Sequence, residues 1–335
     1  MIDRDNIIQP NDQVVDIAHW PVHEEYEVYP EGARVKTLRV CPDNTPYDFC
    51  IPGHRYLFKE AIKSAKDPSK PRHPDQYWCE VIAFQIGRLM QLQAPPVFVS
   101  VNSATGEPGS LCEWFIGYSP GIEERSTPGG EYMQKMITGY DRDKGRQHNL
   151  TSIITFSRAM TISKQLTHSW KEYWGLCLCF DALIGNTDRH QENWKVIWNG
   201  NEGTARLSPF FDNGTSLGHE LFPKKFNQCV RDNNMLLAYI NRGRHQMKWH
   251  KDDEGRLPLI EGVSRYCRKY PEVVPLLIDR LQWEDDALLK ILSELTTFHI
   301  QSPLTAERAA FIHKLTCYRK RLLLEALEMI GNEAY

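Results

Sequence analysis

The stretch from Leu183 to Gly218 restricts the fold of this chain more than any other. It gathers Asp188, His190 and Asn193 into one polar cluster and Asp212 and Asn213 into a second, with the apolar run Trp194, Val196, Ile197 and Trp198 between them. Asn199, Gly200, Asn201 and Gly203 then supply a natural hairpin turn, because these residue types accept left-handed backbone and Asn bonds its own main chain. The pattern predicts a hairpin with chemically active groups at both ends. Asp, Asn and Gly also cluster at ordinary turns. The two polar clusters differ in having Leu183, Ile184, Trp194, Phe210 and Phe211 beside them, and polar groups among such neighbours need partners or a role.

The residue types indicate the role. A carboxylate (Asp188), an amide five positions on (Asn193) and a second carboxylate in the next cluster (Asp212) can place one base and two oxygen ligands around a hard cation. Magnesium takes oxygen ligands and is usually shared between one or two carboxylates and substrate phosphates. In phosphoryl transfer an Asp of the catalytic loop receives the hydroxyl proton, an Asn a few residues later holds metal, and an Asp opening the next loop holds metal too. Asp188, Asn193 and Asp212 fit that order.

With 335 residues, 41% of them hydrophobic, the chain can bury a full core and is long enough for two domains or one of two lobes. A net charge of -3 gives no global nucleic-acid signal. No run approaches the ~18 apolar residues of a membrane span, and MIDRDNIIQPND has no signal-peptide core. A soluble, cytoplasmic protein without membrane or direct nucleic-acid ligands is expected. The nine cysteines form no CxxC pair and often sit beside apolar residues, as reduced core thiols do.

Along the chain, Pro10, Pro21, Pro30, Pro42 and Pro46 break the first fifty residues into short pieces, with strands expected near Val14 to Ile17 and Arg34 to Val40. Arg55 to Glu60 reads as a strand carrying Lys59, either facing solvent or turned inward to grip phosphates. Asp75 is placed to cap a helix to about Met90, whose buried stripe is Trp78, Val81, Ile82, Ile86, Leu89 and Met90. Glu80 interrupts that stripe. It is either a solvent-facing acid or the partner that orients Lys59. Strands are expected at Val97 to Val101 and Leu111 to Ile116, then a polar insertion or mobile loop over residues 118–150. Ser169 and Glu172 form a capping box before a helix ending at Gly185. The basic segment from Lys224 to Lys251, with Phe226, Tyr239 and Trp249 interleaved, reads as a charged surface face, with an acidic partner or nucleic acid as the alternative. The rest is helical, with apolar faces at Val273 to Leu281, Ala287 to Leu295 and Ala309 to Ile330, and no site residue is required from it.

Five segments taken in order, YLFKE, the Glu80 helix running into LMQLQAPPVFV, LCEWFIG, GNTDRHQEN and LSPFFDNGTSLG, resemble the HipA-like family of serine/threonine kinases. The resemblance covers about residues 55 to 220 and is strongest in the last two segments. It implies an α+β, two-lobed, protein-kinase-like fold: a small β-rich N-lobe with one helix over residues 1–117 and a larger, mostly helical C-lobe over residues 118–335. It implies an ATP- and Mg2+-dependent serine/threonine protein kinase acting on a protein substrate, with an antitoxin or other regulatory protein as partner, since well-known members are toxins of bacterial toxin-antitoxin pairs. Asp188 is then the catalytic base, Asn193 and Asp212 the metal ligands, and Lys59, oriented by Glu80, the phosphate-binding lysine. His190 and Phe211 border the nucleotide, and Glu113 and Phe115 offer backbone groups to adenine. The chain departs from fuller members in having only fifty-odd residues before Lys59, without the larger N-terminal module, and no serine in PYDFCIPG, where their phosphate loop is autophosphorylated. Neither self-inactivation by that route nor dependence on the usual DNA-binding antitoxin is therefore expected. The loop GNTDRHQEN is also similar to that of phosphoinositide kinases, which keeps a lipid or small-molecule kinase open. A nucleotide-binding pseudokinase or scaffold is the reading from another class.

Overall fold

The computed structural model describes residues 4, 7–23, 35–61, 67, 72–118 and 121–333. The chain divides into two compact units, one formed by Met1–Tyr118, Asn213–Asn227 and Asp285–His313, the other by Ser119–Asp212, Gln228–Glu284 and Lys314–Tyr335.

The first unit is built on a five-stranded sheet. Its strands are β1 (Val15–Asp16), β2 (Lys36–Val40), β3 (Arg55–Glu60), β4 (Val97–Asn102) and β5 (Glu107–Glu113), in the order β1-β4-β5-β3-β2. Only the short β1–β4 pairing is parallel. Side chains alternate between the two faces of a strand. Tyr56 and Phe58 of β3 therefore join Phe98, Leu111, Val15, Trp20 and Phe49 in a core on one face. Lys59 turns to the other, where helix α1 (Gln76–Leu89) packs on β4 and β5.

Two details depart from the sequence reading. The second of the paired strands begins at Glu107 and stops at Glu113, where Leu111 to Ile116 was expected. Pro108 and Gly109 hide its start. Pro108 pairs with Val101 on one side and lies beyond the end of β3 on the other, so its missing N–H breaks no ladder there. Gly109 passes so close to β3 that a Cβ would stand 2.6 Å from the Lys59 carbonyl oxygen and from the Phe58 ring. Asp75 occupies the N-cap position of α1 without bonding the helix; its carboxylate lies 3.4 Å from Arg308 Nε. The expected start at Arg34 lies outside the described residues.

The second unit centres on α4 (Trp170–Ile184), whose Trp174, Cys177, Leu178, Phe180, Leu183 and Ile184 are all fully buried. A helix apolar on every side is an interior helix. Ser169 Oγ accepts from Glu172 N at 3.3 Å, and Gly185 ends the helix in the left-handed conformation at φ 69°, as expected. The predicted hairpin forms as β7 (Lys195–Asn199) and β8 (Thr204–Leu207). Residues 118–150 are not a bare loop: they hold a third strand, β6 (Glu124–Pro128), on the open edge of β7, and helix α2 (Gly129–Met136). The strand escaped notice because ERSTP, paired on one side and half exposed, carries no apolar alternation. Helices α3 (Leu150–Ile162), α5 (Pro223–Arg231), α6 (Asn233–Arg242), α7 (Leu259–Lys269), α8 (Val274–Arg280), α9 (Asp285–Leu295) and α10 (Ala306–Glu333) complete the chain, α9 belonging to the first unit and α5 and α10 each contributing to both.

The nine cysteines form no disulfide, and no helix among the described residues is long and apolar enough to cross a membrane.

Trp194 anchors the hairpin to the rest of its unit. Its ring meets Trp174 edge-on at 5.4 Å, its Nε1 donates to His148 Nε2 at 3.1 Å, and its carbonyl accepts from Gly129 N at 2.9 Å. A Cβ on Gly129 would lie 1.9 Å from the indole. Since the tryptophan is fully buried and cannot swing away, Gly129→Ala is expected to destabilise the chain by at least the ~1–3 kcal/mol of an overpacked core. Denaturant unfolding monitored by tryptophan fluorescence reads this loss, and an unchanged midpoint would contradict the packing described.

Candidate active site

In the first unit the sequence-selected lysine and glutamate meet. Lys59 Nζ donates to Glu80 Oε1 at 2.8 Å, with both side chains almost fully buried at 3% and 2% exposure. An ammonium out of water needs such a partner, and removing one member of a buried pair typically costs ~3–5 kcal/mol. The second carboxylate oxygen of Glu80 accepts the backbone N–H of Asn213 at 2.9 Å. Glu80 thus holds the lysine with one oxygen and, with the other, the residue next to Asp212 in the chain.

Glu113 and Phe115 lie at the end of β5. The Glu113 side chain points to the Tyr56 face, away from Lys59, where it takes hydrogen bonds from Arg4 Nε (3.0 Å), Arg4 Nη2, Tyr56 OH (3.1 Å) and Tyr118 OH (2.9 Å). Burial, reinforced by this carboxylate's charge, pushes the Tyr56 phenol up. The Glu113 N–H donates to Pro96 O at 2.8 Å. Pro96 has no N–H to return, and the β4–β5 register begins at the next pair, Val97 with Cys112. Phe115 is buried and its ring stacks on Trp114.

In the second unit, Gly185 delivers the chain from α4 into the catalytic-loop candidate. Arg319 of α10 closes the helix end, donating Nη1 to Ile184 O at 3.1 Å and lying where a Gly185 Cβ would be, 2.2 Å away. The C-terminal helix thus braces the end of α4 without supplying a candidate site residue. The loop is braced from within. Asn186 Nδ2 donates to Asp181 Oδ1 (3.1 Å), and Asn186 Oδ1 accepts from Asp188 N (2.9 Å). Asn193 Nδ2 donates to the Asp188 carbonyl (2.7 Å). Both ends of the Asp188 backbone are thus fixed by side-chain amides.

Arg189 and Asp181 were missed by the sequence reading and are the most heavily bonded pair here. Arg189 gives Nε and Nη2 to the two oxygens of Asp181 at 3.1 and 2.7 Å, and Nη1 to Asn193 O at 3.2 Å and Phe211 O at 2.6 Å. Burial works against the guanidinium charge, and the Asp181 carboxylate more than offsets it, so the pKa is raised. One signal was available in the sequence: Asp181 is the lone acid in CLCFDALIG, and a carboxylate in an interior helix must have a partner. Because one nitrogen touches both carbonyls, the loop containing Asn193 and the segment containing Phe211 meet at Arg189.

Asp212 comes directly after Phe211 with φ 56°, a left-handed conformation unusual outside glycine. Such strain persists only where the surroundings over-determine it, and it concentrates at functional sites. His190 is half-buried, with Nδ1 accepting from Glu192 N at 3.1 Å. Lys195 Nζ lies 5.8 Å from the centre of the Phe211 ring.

The donor set suits a hard cation. With Nδ2 committed to the Asp188 carbonyl, Asn193 has only its amide oxygen to offer, and Asp212 adds a carboxylate. No group of three or more His, Cys, Asp or Glu that could hold a metal occurs among the described residues. An ion held by these two side chains would complete its coordination with water and substrate oxygens, as magnesium commonly does.

No protein-family model matches the chain, and no curated protein does. Among solved structures it is similar to the proinflammatory kinase CtkA of Helicobacter pylori, with a TM-score of 0.73 and 15% identity over 96% of this chain and 99% of that one. HipA of Shewanella oneidensis, solved with HipB and operator DNA, gives 0.49 and 13% over 90% and 65%. The Golgi casein kinase gives 0.44 and 12% over 98% and 77%. At TM-scores below 0.5 these two bear no weight, and the likeness to CtkA establishes the fold alone: α+β and kinase-like.

His148, which receives the Trp194 indole N–H, is fully buried, and desolvation followed by the charge of nearby His190 pushes its pKa down to about 3. The folded chain keeps His148 neutral, whereas the unfolded chain protonates it near the ordinary value of about 6.5. The stability this contributes is fully present above pH ~6.5 and is lost as pH falls toward 3, at about 1.4 kcal/mol per pH unit. Urea unfolding between pH 6.5 and 5 is expected to show that slope reduced by up to one proton's worth in His148→Gln. An identical pH dependence in the two proteins would show that His148 takes up a proton in the folded state.

Proposed function

We propose that this chain is a protein kinase transferring the γ-phosphate of ATP to a serine or threonine hydroxyl, with Mg2+ as the accompanying ion. The observation that carries this reading is the buried Lys59–Glu80 pair, because a lysine held in that way on a strand is how kinases present an ammonium to nucleotide phosphates. The kinase-like fold shared with CtkA supports it over nearly the whole length of both chains.

In this reading Lys59 grips the phosphates while Glu80 fixes its position. Asp188, its backbone clamped by Asn186 and Asn193, accepts the proton of the attacking hydroxyl. Asn193 Oδ1 and the Asp212 carboxylate are the protein's ligands for Mg2+, which when bound neutralises charge on the β- and γ-phosphates. His190 and Phe211 border the nucleotide. The backbone groups of Glu113 and Phe115 serve adenine. The N-lobe of this kinase is residues 1–117 and the C-lobe residues 118–335. Membership of the HipA-like family, a cytoplasmic location and a regulatory partner such as an antitoxin belong to the same proposal, on the strength of GNTDRHQEN and LSPFFDNGTSLG.

The test is incorporation of label from γ-labelled ATP into the protein itself and into a heat-treated cell extract. Asp188→Ala is expected to lower the rate by roughly 10²–10⁴-fold, the usual worth of a positioned acid–base group, and Asp212→Ala to abolish the dependence on Mg2+. Equal incorporation by the wild type and both variants would reject the assignment.

A further inference from the structure

Arg189 touches two segments that carry the proposed metal ligands without being a ligand itself. Its side chain is 1% exposed, and it donates to Asp181, Asn193 O and Phe211 O. Asp181 is fully buried in the interior helix α4, so the guanidinium is anchored to the central helix of its unit. The planar fork lets one edge pair with a carboxylate while the remaining nitrogen reaches two carbonyls, a combination a lysine cannot reproduce.

The two carbonyls matter because of the oxygens they stand beside. Asn193 carries its own donor oxygen. Phe211 directly precedes Asp212, whose left-handed backbone needs holding from outside. The neighbours of Asp212 in the chain are both held: Phe211 O by Arg189, and Asn213 N by Glu80.

We propose that Arg189, anchored by Asp181, is a positioning residue that sets the placement of the Asn193 and Asp212 oxygens for a divalent cation. This rests on the proposed role of those two side chains as metal ligands. Loss of the fork should loosen the cation more than the nucleotide.

The measurement is binding of a fluorescent, non-hydrolysable ATP analogue titrated against Mn2+, for the wild type, Arg189→Lys, Arg189→Ala with and without guanidinium, and Leu277→Ala. Leu277 is fully buried in α8, is neither a proposed ligand nor a recorded partner of Arg189, and serves as a matched destabilisation, with thermal melts run alongside. In Arg189→Lys the Mn2+ midpoint is expected to rise more than five-fold, while analogue affinity at saturating Mn2+ changes less than three-fold. Millimolar guanidinium is expected to restore the midpoint in Arg189→Ala. Should Arg189→Lys fail to fold, Asp181→Asn, which keeps the volume and weakens the anchor, is read in its place. A midpoint shift below five-fold, an equal shift in Leu277→Ala, or absence of guanidinium rescue would each overturn the inference. If the wild type itself shows no Mn2+-dependent binding, the kinase reading falls; if the wild type shows it and Arg189→Lys matches the wild type, only the positioning role falls.

Discussion

A charge taken out of water must be solvated by the protein, and among the described residues Lys59–Glu80 and Arg189–Asp181, one in each compact unit, are ion pairs with both members almost fully buried. Neither pair is a simple two-body contact. The desolvation penalty of buried ions exceeds what their mutual attraction returns unless further hydrogen bonds meet the remaining donors and lone pairs. Glu80 meets that demand through the Asn213 amide, and Arg189 through the carbonyls of Asn193 and Phe211. The extra bonds solvation requires are the bonds that fix the polar loops.

The surrounding fold gives those charges somewhere rigid to stand. Glu80 sits on a helix packed against the central strands, and Asp181 on a helix with no polar face. Gly185 then turns the chain out of α4, where both its left-handed φ and the Arg319 guanidinium beside it exclude a side chain. The next loop gains its shape from its own amides: Asn186 and Asn193 together hold the nitrogen and oxygen of Asp188. Strain at Asp212 is tolerable in such a frame, because the residues before and after it are both tied.

Much of this was legible in the amino-acid order. The Lys59 strand, the Glu80 helix, the capped α4 and the hairpin after Trp194 each announce themselves through local periodicity, caps and turn residues. What escaped was information that only long-range partners supply. Nothing local in ERSTP marks a strand that pairs with β7. Pro108 and Gly109 signal a turn until the neighbouring strand is known to end at Glu60 and to press against the glycine. Asp75 has the right identity and position to cap a helix, yet Arg308, more than two hundred residues away, claims its carboxylate. For Arg189, a neighbour of Asp188, a charged loop residue reads as solvated until Asp181 is found beneath it.

Asn193 shows why the residue type, and not only polarity, is constrained at such a place. Its amide donates through Nδ2 to the Asp188 carbonyl and keeps Oδ1 to meet another group. An aspartate would present an oxygen to that carbonyl, replacing a hydrogen bond with repulsion in a position only 5% exposed. A serine would be too short to span the loop while reaching outward. An amide is the small side chain that can brace the loop with one atom and offer a neutral hard ligand with the other. If, as proposed, Asn193 and Asp212 hold a divalent cation near Asp188, the amide supplies a neutral oxygen in place of a third negative charge, which would suit a cation whose remaining ligands are the anionic oxygens of a phosphate chain.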